Sequence, residues 1–382
     1  MTEGYNLLGA AYLQKARETG DFGFNARAEA ALKRSLEISP KDQTALTLRA
    51  TLLLTNHRFR EALNEAKRAQ EAGPESPDLY GVMTDALVEL GEYQDAVKVA
   101  QKMMNLRPDS ASYSRASYLR FLHGDLEGAI EAMRVAVKAA NPSNPEHAGW
   151  YRVRLGLEMM KAGRREEGER EFDIALEIFP DYYLALEAKA KARVAAGDLQ
   201  KAIDLYRQAQ LRVPLADTAI ALGDLYLKLG MTEDAKRQYE LFEFLEQSNA
   251  ESGTHSRELA LFWADHDMKL DEALEIMKHE RSGRADIYTL DALAWCLYKK
   301  GQLAEAREAI GQATKLGTRD ALISYHAAMI YDAFGDSRLA TKYFKLALET
   351  DPSFNVLQAE VARQKLERTK AAMRPGKWLK VG

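Results

Sequence analysis

The chain has 382 residues, 46% of them apolar and 29% charged, which is ample for an ordered core and argues against extended disorder as the main state. Lys and Arg number 53 against 57 Asp and Glu, a net charge of −4, too balanced for a nucleic-acid binder held mainly by phosphate neutralisation. The single cysteine, Cys296, excludes an intrachain disulfide and a cysteine-built zinc site, and no apolar run approaches the ~18 residues of a membrane span. The opening residues, MTEGYNLLGAAYLQKARETG, lack the basic and apolar regions of an export signal. A cytoplasmic location is the default expectation, with an exported or envelope form left open should a signal precede this start.

Helix pairs are expected from the first residues onward. The first pair is expected to carry about seven additional residues between its helices, near RETGDFGFNAR. Pro40, Pro74, Pro108 and Pro142 then follow at steps of 34, and Pro180 and Pro214 at 38 and 34. Each ends a second helix, because proline cannot continue one and pushes its predecessor out of the helical region. Small residues recur in phase at Ala28, Ala62, Ala96, Ala129, Gly168, Ala202, Ala235, Ala273, Ala306 and Ala340, where close helix crossings need short side chains. Seven of these have a glycine five residues earlier, from Gly91 to Gly335, suited to the left-handed end of the unit's first helix. The segment NPSNPEH (141–147) lengthens one turn between units. Residues 240–254 extend a second helix and then break, suggesting a seam between sub-arrays 1–250 and 254–353. Residues 354–370 read as a capping helix with an apolar stripe of Phe354, Leu357, Val361 and Leu366. A basic tail, 371–382, follows.

The period and its phased residues resemble the tetratricopeptide repeat (TPR) of bacterial type. The unit 183–216 carries Ala190, Ala202, Tyr206, Ala209 and Pro214, and the unit from Ala321 carries Ala328, Tyr331, Ala340, Phe344, Ala347 and Pro352. Ten such units cover about residues 2–353. Met103, Phe242 and Glu280 depart from the small residue at one repeat position, so neighbouring helices are expected to splay or shift there. The resemblance implies an all-α fold, a right-handed α-solenoid with a C-terminal capping helix. It also implies a non-enzymatic scaffold or adaptor that binds a peptide or partner protein on its concave surface, without a cofactor.

In such repeats the second, fifth, ninth and twelfth positions of the first helix line the concave side. The seventh unit places Asp217, Ile220, Asp224 and Leu227 there, and the ninth Tyr288, Asp291, Trp295 and Tyr298. With Phe262 and Asp265 from the eighth and Tyr325 and Asp332 from the tenth, they are expected to form an aromatic-acidic patch for a peptide with basic or polar groups. Trp295 is the expected anchor, since flat aromatic side chains offer large contact area. The opposing expectation is that these rings pack against the next unit. An assembly subunit, including a homo-oligomer, using the solenoid ends or convex face is the alternative within the fold. From another class, His255, Glu258, Asp265 and His266 lie within twelve residues, but the spacing is not that of a metalloprotease helix, and no phosphate-binding or nucleophile motif is present. Cys296, in the apolar stretch DALAWCLYKKG, reads as buried and inert.

Overall fold

The computed structural model describes residues 2–251 and 257–372. It is built of ten helix pairs and one terminal helix, with no strand among the described residues. The units, in order, are α1 (Thr2–Thr19) with α2 (Gly23–Ile38), α3 (Gln43–Thr55) with α4 (Phe59–Ala72), α5 (Pro77–Glu89) with α6 (Tyr93–Leu106), α7 (Ser110–Leu122) with α8 (Leu126–Ala139), and α9 (Pro145–Lys161) with α10 (Arg165–Ile178). They continue as α11 (Tyr183–Ala195) with α12 (Leu199–Arg212), α13 (Ala216–Lys228) with α14 (Thr232–Glu251), α15 (Arg257–Asp265) with α16 (Leu270–Gly283), α17 (Ile287–Lys299) with α18 (Leu303–Ala313), and α19 (Ala321–Ala333) with α20 (Ser337–Thr350). Helix α21 (Gln358–Ala372) ends the array. The two helices of each unit pack on each other and most also pack on a neighbouring unit, the arrangement of an α-solenoid.

The phased residues do what their spacing predicts. Nine of the ten crossing residues are alanines no more than 2% exposed, and a Cβ on the tenth, Gly168, would lie 2.6 Å from the Gly156 carbonyl oxygen. All seven predicted helix-ending glycines have positive φ. At Gly91, the backbone N–H donates to Val88 O (2.9 Å) and that of Glu92 to Leu87 O (2.8 Å), so the last carbonyls of α5 are satisfied as the chain reverses. In the second unit His57 takes this place with φ 57°.

Two local expectations change. The additional residues of the first unit do not form a loop: they lengthen α1 to 18 residues and α2 to 16, and only residues 20–22 separate the helices. Of the segment 141–147, only its first four residues are turn, because Pro145 starts α9 behind the Asn144 cap, where the missing N–H of proline is harmless. Met103 and Phe242, two of the large residues at the small repeat position, fill their sites. Both are fully buried, Phe242 against Phe262 of α15 with ring centroids 4.6 Å apart. The end of the predicted break, 252–254, lies outside the described residues, as do most of the basic tail, 373–382, and the chain's first residue.

The array also closes on itself after about six units. Ala285 N donates to Glu89 O (2.9 Å) and Ile287 N to the Tyr93 hydroxyl (2.8 Å), joining units 3 and 9. Arg284 pairs with Glu89 and lies 4.9 Å over the Phe59 ring. Thr318 donates to Leu122 O, joining units 4 and 10. One apolar cluster therefore runs from Leu46 to Leu122 and resumes from Ala260 to Leu366.

Candidate functional site

The first helices of units 9 and 10 start at defined points. Asp286 accepts from Tyr288 N (2.9 Å) and Thr289 N (3.2 Å), and Asp320 from Leu322 N (3.0 Å) and Ile323 N (3.2 Å). Carboxylates satisfy the unpaired amides of a first turn and fix where the helix begins. That register sets the phase of every residue on the concave face behind it.

A cleft of about 500 Å³ opens on this face. Asp265, Trp295, Tyr298 and Tyr325 line it from the array, with Lys299 and Asp267 at its rim. Its other side is formed by Leu357, Gln358 and Val361, from the last turn and α21. The rings are mutually fixed: Trp295 stacks on Tyr298 at 5.0 Å and on His326 at 4.2 Å, and Tyr325 lies 5.9 Å from Trp295. Asp265 accepts from Trp295 Nε1 (2.8 Å) and from Gln358 Nε2 (2.6 Å). Burial pushes its carboxyl up from the usual range, while His326 and these two hydrogen bonds hold it back. Lys299 pairs with Asp267 at 2.7 Å. A smaller cleft of about 290 Å³, on α12 and α14, is bordered by Arg207, Tyr226 and Arg237 and has no comparable ring cluster.

Four of the eight predicted site residues thus meet in one cleft, and the other four do not line it. Phe262 is 3% exposed and packs with Phe242 and Tyr239 between α14 and α15. Asp291 is 3% exposed and accepts from His326 Nδ1 at 2.9 Å. Burial opposes charging of this histidine, but the Asp291 carboxylate in contact outweighs it, so the imidazolium is held above its ordinary range. Tyr288 lies two turns from the cleft, its ring 5.7 Å from the Arg257 guanidinium. Burial holds its phenol well above the usual range, with the charge of Asp320 adding to the effect. Asp332 lies two turns along α19 from Tyr325 and is engaged by Lys365 at 2.6 Å.

Trp295 corrects the expectation of an exposed anchor. It is 2% exposed and forms the back wall of the cleft, wedged between units 8, 9 and 10. Tyr298 and Lys299, half-buried, are the groups that a bound segment would meet.

Sequence reasoning missed His326, Gln358 and Lys365. His326 stands 35 residues after Asp291 on the adjoining first helix, next to Tyr325 at the equivalent repeat position, so the 34-residue register brings the pair close without pointing to it. The position of α21 had a local signal in Asn355, whose side chain accepts from Leu357 N (2.8 Å) and Gln358 N (3.0 Å) and starts the helix late. The apolar stripe changes accordingly: Ala359, Ala362 and Leu366 are buried, whereas Val361 is 39% exposed.

Among the described residues of the metal alternative, Glu258, Asp265 and His266 are each engaged by different neighbours. His255 lies outside the described residues. Glu258 pairs with Arg257 (2.8 Å), Asp265 is held by Trp295 and Gln358, and His266 lies 3.5 Å from Asp224. Among the described residues no group of three or more His, Cys, Asp or Glu side chains is arranged to hold a metal, and no helix is long and apolar enough to cross a membrane. Cys296 is fully buried, its thiol pushed up to about 12 by that burial. A thiol so protonated is a poor nucleophile. The site therefore offers recognition chemistry: flat rings, carboxylates and a lysine.

Helix pairs of this period, closed by left-handed glycines and crossed at alanines, define a repeat solenoid of the protein-interaction class. The chain belongs to the tetratricopeptide-repeat family: two models of that repeat match it, one over residues 13–77, 153–217 and 292–353 and the other over 53–117. Among curated proteins it is similar to the rat (Rattus norvegicus) DnaJ homolog subfamily C member 3, 23% identical over 220 residues. That match takes in 52% of this chain and 42% of the rat protein, so less than half of the relative's length is spanned. Among solved structures, an IFIT1 monomeric mutant with m7Gppp-AAAA superposes with a TM-score of 0.53 at 15% identity, covering 83% of this chain and 72% of that one. Yeast Tom70 is covered more fully, 97% of this chain and 93% of that one, at 14% identity and a TM-score of 0.40. The IFIT1 superposition concerns the fold.

Proposed function

We propose that the chain is a scaffold or adaptor that captures a segment of a partner protein in the cleft on the concave side of units 8–10. The observation that carries this reading is the convergence of Asp265, Trp295, Tyr298 and Tyr325, from three consecutive first helices, on one open cleft. Trp295 and Tyr325 are buried behind the cleft and hold Tyr298 in place by ring packing, so little of its side-chain freedom remains to be lost on binding. Half-buried Tyr298 supplies contact area, and Asp265, Asp267 and Lys299 supply orientation. The test is affinity capture from cells of origin with the intact chain and with Tyr298→Ala, each first checked for an unchanged melt. Loss of a defined set of partners in the variant is expected. The same partners recovered by both would move binding away from this cleft.

The runner-up is assembly through a solenoid end. It is favoured by α1, where Tyr5, Leu7 and Leu8 are exposed, Leu7 at 66%. A sedimentation measurement that finds a dimer, and a monomer after Leu7→Glu, would support it.

A further inference from the structure

We propose that residues 354–366 are a built-in ligand for the cleft of units 8–10, and that the partner is an amphipathic helix presenting the same face, which displaces them. The inference rests on the reading of the cleft as a partner site, and it adds the chemistry of the ligand and a device that keeps the site occupied.

The chain does not simply stack one more helix onto the tenth unit. After Pro40, Pro74, Pro108, Pro142, Pro180 and Pro214 the chain resumes helix within two or three residues, as at Pro40 with Gln43 and Pro180 with Tyr183, but after Pro352 it waits until Gln358. The intervening turn is spent on the inner face. Phe354 lies 5.3 Å from the Tyr325 ring, and Val356 packs against the apolar cluster of units 6 and 7 that includes Leu186 and Leu222. Gln358 then reaches Asp265 of unit 8, and Lys365, two turns along α21, reaches Asp332 of unit 10. A helix serving only to cover the last unit has no need of groups in units 6 to 8.

Helix α21 accordingly has two working faces. Ala359, Ala362 and Leu366 are buried, with α20 as the helix it packs on most closely, as an end cap requires. Leu357, Gln358 and Val361 border the cleft without filling it, and Val361 keeps 39% of its surface exposed. The second face is thus held by two charge-assisted hydrogen bonds and loose apolar contact, a grip that a better-fitting helix can replace. The receiving surface is acidic at both of these bonds. It therefore selects a helix with aliphatic residues one turn apart, an amide or basic group beside them, and Lys or Arg two turns further on.

An internal occupant lowers apparent affinity by the fraction of molecules in which the site is open, and a tethered segment acts at high effective concentration. The probe is a labelled synthetic peptide of residues 353–370, titrated into the intact chain and into Gln358→Glu/Lys365→Glu, which sets carboxylates against Asp265 and Asp332 while leaving the cap face unaltered. The variant should bind the peptide at least about tenfold more tightly than the intact chain. Changing Leu357→Ala and Val361→Ala in the peptide should remove that binding, whereas Ala359→Gln in the peptide should weaken it much less. Equal affinities for the two proteins, or binding that depends on the cap face alone, would overturn the proposal. Should the variant melt early, hydrogen exchange on the unmodified chain decides instead: saturating peptide should expose the amides of 358–366 but not those of α20, and unchanged exchange overturns the proposal. Peptide binding as expected, together with native partners that ignore Tyr298→Ala, would retain the built-in ligand and reject the scaffold reading of this cleft.

Discussion

Two parts of the array carry the same repeat pattern and use it differently. In units 5–7 the helix-ending glycines Gly163, Gly197 and Gly230 face open space, with no atom within 4 Å of where a Cβ would stand. In units 3 and 4 the equivalent glycines are gripped by the next turn of the solenoid. A Cβ on Gly91 would lie 2.6 Å from the Ala285 carbonyl oxygen, and one on Gly124 would lie 2.7 Å from that of Gly317. The inner faces divide in the same way. At the twelfth position Leu227 of unit 7 is exposed whereas Tyr298 of unit 9 is half-buried. At the ninth, Asp224 is buried against a tyrosine and a histidine while Trp295 is buried among the rings of units 9 and 10. A repeat position fixes which way a side chain points, but not what the superhelix brings opposite it.

The largest expected contrast is between those two inner faces. Trp295→Ala empties a site walled by three units and removes the donor that holds Asp265, so it should lower stability by about 3–5 kcal/mol. Leu227→Ala should stay within about 0.5 kcal/mol. Thermal or urea unfolding of both variants checks this. Similar small losses would mean that the closed region is no better packed than the open one.

The next contrast is in pH dependence. Glu187, in the open middle, is 8% exposed, and burial raises its carboxyl to about 7. A carboxyl raised on folding favours the protonated native state, so its contribution is complete below the unfolded value near 4.5 and is lost as pH rises to about 7. The total lost is at most about 3 kcal/mol. Glu187→Gln should flatten stability across that window. His326, in the closed region, also has a raised value, but through its ion pair with Asp291. Its contribution is complete below about 6.5 and is lost only as pH rises through the higher folded value. His326→Gln should therefore remove a slope at higher pH than Glu187→Gln does. Two variants with the same window would show that the Asp291 pair does not hold the imidazolium.

Local rules made the helix pairs legible: prolines that stop, glycines that reverse and alanines that let helices cross. The same rules placed Asp265, Trp295, Tyr298 and Tyr325 on one face, and they meet in one cleft. Burial was not legible, because it depends on partners far along the chain. Asp291 is neutralised by a histidine 35 residues away, and Gln358 reaches Asp265 from 93 residues away. The contacts of units 3 and 4 with 9 and 10 arise from small angles summed over about six units, and no single repeat encodes them. Phe262 has a different cause: it is covered by Phe242, a large residue where the repeat usually has a small one.

The smallest contrast isolates that closure. Gly197→Ala and Gly91→Ala both place a Cβ on a left-handed residue, φ 78° and 73°, which costs roughly 1–2 kcal/mol in either unit. At Gly197 nothing else is nearby, so the backbone strain should be the whole effect. At Gly91 the new methyl must also push back the Ala285 carbonyl, and with it the strand-like pairing of Ala285 N to Glu89 O. The added loss should be about 1 kcal/mol, the order of one net hydrogen bond. Subtracting one variant from the other cancels the strain common to both and leaves the free energy of contact between turns. Hydrogen exchange should place that difference in residues 284–287 and 89–93, and not in α11 or α12. Equal losses for the two glycines, with exchange unchanged at 284–287, would mean that the turns touch without holding each other.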